Sequence, residues 1–164
     1  MQPNKWSSAA MSGLLLALVT VIILTAQSAL SPGKAMNVAL WVIKLVASIW
    51  LVQYFIKEFS KSFEIFTYKD GFSYGFFVCL FSSFICAITQ FLLTVIFPEA
   101  LEAQIEVVIS TLESSNPAAV DRFLAMRDSL PYLIAVISFA WYTIFGLIVS
   151  SIVANFTKKG NQIF

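Results

Sequence analysis

Residues 70–99 read DGFSYGFFVCLFSSFICAITQFLLTVIFPE. No side chain between Asp70 and Glu99 carries a charge, and the run is well over the ~20 residues that a helix needs to cross ~30 Å of hydrocarbon. Because an unpaired charge at bilayer depth costs several kcal/mol, gaps between charges locate spans more sharply than averaged hydropathy does. Two further gaps run from Lys5 to Lys34 and from Asp128 to Lys158, and a fourth apolar tract, about Met36 to Ile56, is interrupted by Lys44. The spans are expected near 9–29, 36–57, 73–97 and 132–156. This predicts an all-α fold, a four-helix transmembrane antiparallel bundle forming one integral membrane domain over 1–164.

The composition agrees. Of the 164 residues 59% are apolar and 12% charged, with mean hydropathy +0.86, whereas a soluble domain has ~45–50% and ~25%. Ten Lys/Arg against nine Asp/Glu leave a net +1, too balanced for a nucleic-acid partner. The first tract also admits a reading as a signal peptide, since Lys5 precedes it and Ala26-Gln27-Ser28-Ala29 offers small residues for cleavage. Its uncharged run exceeds a ~7–15-residue signal core, and Ser31-Pro32-Gly33 turns the chain into the next tract. Spans one and two are therefore expected to run antiparallel, side by side.

Lys5, Lys57, Lys61, Lys69, Lys158 and Lys159 fall on one side of the four spans, and Lys34, Arg122 and Arg127 on the other. The first side is expected to be cytoplasmic, with both termini there. Between spans two and three, Lys57, Glu58, Lys61, Glu64 and Lys69 mix with Phe55, Phe59, Phe63, Phe66 and Tyr68. That pattern suits either a helix end in the headgroup layer, rings toward lipid, or a plain extension of span two. Asp70-Gly71 is expected to turn the chain into span three.

Residues 98–131 form the sizeable extramembrane segment. Leu101, Ile105, Val108, Ile109 and Leu112 recur at helical spacing, with Glu99, Glu102, Glu106 and Glu113 on other faces. Asn116-Pro117 reads as a cap and first-turn pair opening a second helix, which carries Val120, Phe123 and Leu124 among Asp121, Arg122 and Asp128 and stops before Pro131. A helical hairpin outside the membrane is expected. Its acidic residues, Glu99, Glu102, Glu106, Glu113, Asp121 and Asp128, are a candidate partner surface.

Chemistry-bearing residues are sparse. There is no His, which removes the commonest metal ligand and general base. Cys79 and Cys86 are about 10 Å apart on one helix face, beyond disulfide reach, and read as packing residues. The acidic residues of 98–131 lie at helical spacing and do not form a calcium loop. Accordingly no catalytic residue, metal ligand or cofactor is expected. Gly13 and Ala17 make a small-xxx-small pair that lets another helix approach, while Trp50, Trp141 and Tyr142 are expected to pack between helices. The candidate intramembrane polar contacts are Lys44, Gln53 and Gln90. Lys44 either snorkels toward the headgroups or faces the bundle, where it could pair with Glu99, Glu102 or Asp128.

The chain resembles a Bacteroidota family of unknown function numbered 4199. The likeness rests on the entry to span three, Asp70-Gly71-Phe72-Ser73-Tyr74-Gly75, on the exit Phe97-Pro98-Glu99 with the acidic insert after it, and on Gly146-Leu147-Ile148, Ala154 and Lys158-Lys159 in and after the last span. It implies four spans and a bacterial inner membrane, and it assigns no chemistry.

With no catalytic constellation, the expected role is a non-catalytic integral membrane protein that acts by association, as a homo-oligomer or as a small subunit of an envelope complex. A small transporter or channel whose pore forms on oligomerisation is the alternative, with Lys44, Gln53 and Gln90 along a shared path. A lipid-modifying enzyme is a second, and would need Lys44 with Glu99 or Asp128 in one pocket.

Overall fold

The computed structural model describes residues 4–30 and 33–157. Ser31-Pro32 of the first turn and Lys158-Lys159 lie outside the described residues. The elements are α1 (Lys5–Leu30), α2 (Lys34–Ser60), α3 (Tyr68–Ile96), α4 (Pro98–Ser115), α5 (Ala118–Ala125) and α6 (Leu130–Thr157), with a 3-10 turn at Arg127–Ser129. Four of these helices, α1, α2, α3 and α6, are long and apolar enough to cross a membrane. The expected all-helical four-span bundle is the fold observed. Each helix begins a few residues before its expected span and all but α3 end slightly beyond it, because helical hydrogen bonding continues through flanking polar residues until a cap ends it.

Helix α3 is central, with α1 and α6 packed along it. Spans one and two also lie against each other, as expected. Although α1 and α2 are joined at their Gln27–Asn37 hydrogen bond (3.1 Å), the principal partner of α1 is α3. A methyl placed on Gly13 would come within 2.7 Å of the Val78 carbonyl oxygen and 2.8 Å of Phe81 Cβ, so Gly13 is where the two backbones approach closely.

At the end of the bundle that carries Lys5 and Thr157, here the terminal end, aromatic rings fill the core. Phe59 stacks on Tyr74 with centroids 3.9 Å apart, and Phe55, Phe59, Phe66 and Tyr74 are buried. The Tyr74 hydroxyl meets Ser8 Oγ at 2.9 Å and Ser12 Oγ at 3.0 Å, and the Lys5 ammonium donates to Ser73 Oγ at 2.7 Å. The rings of Phe55, Phe59 and Phe66 thus turn into the protein, and neither sequence reading of this connection placed them there. Nor do Asp70 and Gly71 make the turn. Thr67 and Asp70 form a capping box, in which the Asp70 carboxylate accepts from the Thr67 backbone N–H (3.1 Å) and the Asp70 N–H donates to Thr67 Oγ1 (3.3 Å). Helix α3 therefore begins at Tyr68, and Gly71 becomes a packing residue inside it.

At the opposite, hairpin end, α4 buries Ile105, and Arg127 donates to Glu102 at 2.9 Å, clipping the 3-10 turn to α4. The Asn116 side chain makes no cap. Instead Pro117 occupies the cap position with φ −56°, and the Asn116 carbonyl accepts from the Ala119 N–H at 2.9 Å. The second helix ends at Ala125, before Pro131 as expected, and Pro131 lies in the first turn of α6, a position where its missing N–H costs nothing.

Candidate functional site

Small residues recur every fourth position on both sides of the α3–α6 contact. Gly71, Gly75, Cys79 and Ser83 line one helix, and Gly146, Ser150 and Ala154 the other. The register is antiparallel: Gly71 lies against Ala154, Gly75 against Ser150, and Gly146 against Cys79. A methyl on Gly75 would sit 2.9 Å from Ser150 Oγ, and one on Gly146 would overlap Cys79 Cβ. Between lipid-immersed helices such close approach supplies the dispersion contacts that hold the pair, since the hydrophobic effect does not favour helix over lipid.

Beyond the ladder, toward the hairpin end, the four spans part around a cavity of about 220 Å³. Trp41, Lys44, Leu45, Ser48 and Val52 line it from α2, Leu16 and Thr20 from α1, Cys79, Ser82, Ser83 and Cys86 from α3, and Trp141, Tyr142, Phe145 and Gly146 from α6. The α2 residues share a face because they recur at i+3 and i+4 spacing. Helix α2 leaves this room because none of its described side chains before Val52 is buried, whereas Val52, Phe55, Ile56 and Phe59 fix its other half in the core.

Lys44 therefore faces the bundle. Its Nζ lies 5.7 Å from the centroid of the Tyr142 ring, and among the described residues it has no carboxylate partner. Placed roughly 15 Å along α2 from Lys34 at 1.5 Å per residue, it is deep in the hydrocarbon. An ammonium there costs about 2.5–3.5 kcal/mol, of which a cation–π contact returns about 0.5–2 kcal/mol. Most of the cavity hydroxyls are already engaged. Thr20 donates to the Leu16 carbonyl (3.3 Å), Ser83 to the Cys79 carbonyl (2.7 Å), and Ser82 lies 4.0 Å from Cys86 Sγ. Ser48 and Tyr142 carry hydroxyls with no hydrogen-bond partner among the described residues.

The other sequence candidates stay apart from this site. Gln53 is exposed on α2 and Gln90 half-buried on α3, neither lines the cavity, and neither amide bridges helices among the described residues. Glu99, Glu102 and Asp128 do not join Lys44; Glu102 is taken by Arg127. Glu99, Glu106, Glu113, Asp121 and Asp128 are exposed, without an ion pair among the described residues. Trp50 and Trp141 are 62% and 66% exposed, so they face lipid where interhelical packing was expected. Cys79 and Cys86 are buried, as expected of packing residues.

The fold defines a small multi-pass membrane protein with four helices long and apolar enough to cross a membrane, and among them lies a largely apolar cavity to which Lys44 and several hydroxyls contribute. The chain belongs to a protein family of unknown function, DUF4199, whose family model matches residues 8–159. No curated protein and no solved structure matches it.

Proposed function

We propose that this is a non-catalytic membrane protein that holds a small ligand between its helices. The observation that carries the reading is the cavity itself: polar side chains from four spans converge on about 220 Å³ at bilayer depth, where polar groups are costly and mark function. The lysines at the terminal end favour insertion with both termini in the cytoplasm of a bacterial inner membrane. Native mass spectrometry of the protein extracted in mild detergent tests the binding. A retained small molecule that disappears in Ser48→Phe, which fills the cavity, supports it. Absence of any retained species, with no saturable uptake of added amphiphiles, refutes it.

Association with a partner is the second reading, favoured by the exposed carboxylates of α4 and α5. Crosslinking after gentle extraction should then give a discrete adduct that weakens when Glu99, Glu106 and Glu113 become Gln.

A further inference from the structure

We infer that the cavity takes the head of a singly charged anionic amphiphile, a carboxylate or phosphodiester on an apolar chain, with the Lys44 ammonium as its counter-ion. The inference rests on the binding role proposed above and adds the chemistry of the ligand. Four observations converge on it. Among the described residues Lys44 is the one charged residue of the lining, and no Asp or Glu lines the cavity to repel an anion. One positive charge matches one negative charge, and a cation at this depth is held where a partner neutralises it. Ser48 sits one turn from Lys44 on the same face of α2, and it and Tyr142 bring hydroxyls that no described residue engages, so an anionic head would find donors beside the ammonium.

The mouth selects the rest of the ligand. Trp41 and Trp141 line the cavity from α2 and α6 and are 52% and 66% exposed. Each indole therefore reaches from the cavity lining to the outer surface of its helix, a position that suits the boundary of polar head and apolar chain. A space of about 220 Å³ falls below the ~300–1,000 Å³ of sites that enclose a drug-sized ligand. It accommodates a head and the first carbons, and the rest of the chain lies outside, along the exposed indoles.

The test is equilibrium binding to the full-length protein in neutral detergent, using dodecanoate, dodecanol of the same length, and acetate. The wild type should bind one dodecanoate per chain at least tenfold more tightly than dodecanol and should ignore acetate. Lys44→Met should abolish the preference for the acid, and Lys44→Arg should keep it, which separates loss of charge from loss of fold. Equal binding of acid and alcohol by the wild type, or a preference that survives Lys44→Met, overturns the anion site and leaves the cavity as an apolar one. No binding of either chain, unchanged in Ser48→Phe, removes the binding role as well. Phosphatidylglycerol that displaces dodecanoate where phosphatidylcholine does not assigns the head to bilayer lipid; its failure to displace assigns it to a free acid.

Discussion

Replacing Gly13 by Ala tests the packing of α1 on α3 with one carbon atom. The added methyl would lie 2.7 Å from the Val78 carbonyl oxygen, 2.8 Å from Phe81 Cβ and 3.3 Å from the Ser82 nitrogen. Ordinary contacts are about 3.3 Å or more for carbon to oxygen and about 3.5 Å for carbon to carbon. Two of the three clashing atoms belong to the backbone, so no rotamer change relieves them, and the helices must separate by roughly 0.7 Å. The Tyr74 hydroxyl, now 2.9 and 3.0 Å from Ser8 and Ser12, would then be stretched past hydrogen-bond range. Overpacking costs about 1–3 kcal/mol, and each lost interhelical hydrogen bond adds about 0.6 kcal/mol. Against this stands a gain of up to about 1 kcal/mol in helix propensity. The expected net loss is about 1–3 kcal/mol, read as a shift in the midpoint of unfolding by SDS in mixed micelles. Gly33→Ala is the control, because a methyl there meets nothing within 4 Å, and it should change stability by less than about 0.5 kcal/mol. A Gly13→Ala protein as stable as the wild type would refute the α1–α3 register.

Three more outcomes follow from the geometry. Gly146→Ala should destabilise the bundle through Cys79 Cβ; Cys79→Ala, which keeps that carbon, should not restore it, and Cys79→Gly should, in the same SDS titration. Lys44→Met should raise stability by about 1–2 kcal/mol, the cost of an unpaired ammonium at this depth less its contact with Tyr142, and a lowered midpoint would show that the ammonium is structurally satisfied. Arg127→Ala should cost less than about 1 kcal/mol, since the Glu102 pair is more than half exposed; a larger loss would mean that the pair organises the hairpin.

The spans were legible because hydrocarbon excludes charge, and a gap such as Asp70 to Glu99 leaves a helix nowhere else to go. Which face of each helix meets which neighbour was not, because azimuth is fixed by partners that lie far along the chain. Gly13 and Ala17 stood out as a small pair, yet the longer series Gly71, Gly75, Cys79 and Ser83 acquires meaning only against Gly146, Ser150 and Ala154. Lys44 illustrates the same limit: its depth follows from counting residues, whereas its direction required the position of Tyr142. Ser48 and Tyr142 carried a signal, since Trp41, Lys44, Ser48 and Val52 trace one helical stripe, but a serine in an apolar span commonly bonds its own backbone and attracts no notice. Phe59 and Phe66 lay among charges and so looked interfacial, although Phe59 stacks inward on Tyr74 and Phe66 packs on Phe59.

The uneven anchoring of α2 divides the molecule into a frame and a leaf. Helices α1, α3 and α6 are locked by backbone-close contacts that yield only by breaking them, while α2 is pinned from Val52 to Ser60 and carries no buried side chain among its described residues before that point. Leaning of its first half about the pinned one would disturb no buried side chain of α2, though it would strain the Gln27–Asn37 bond to α1, so a change in the width of the cavity falls on one helix and leaves the frame intact.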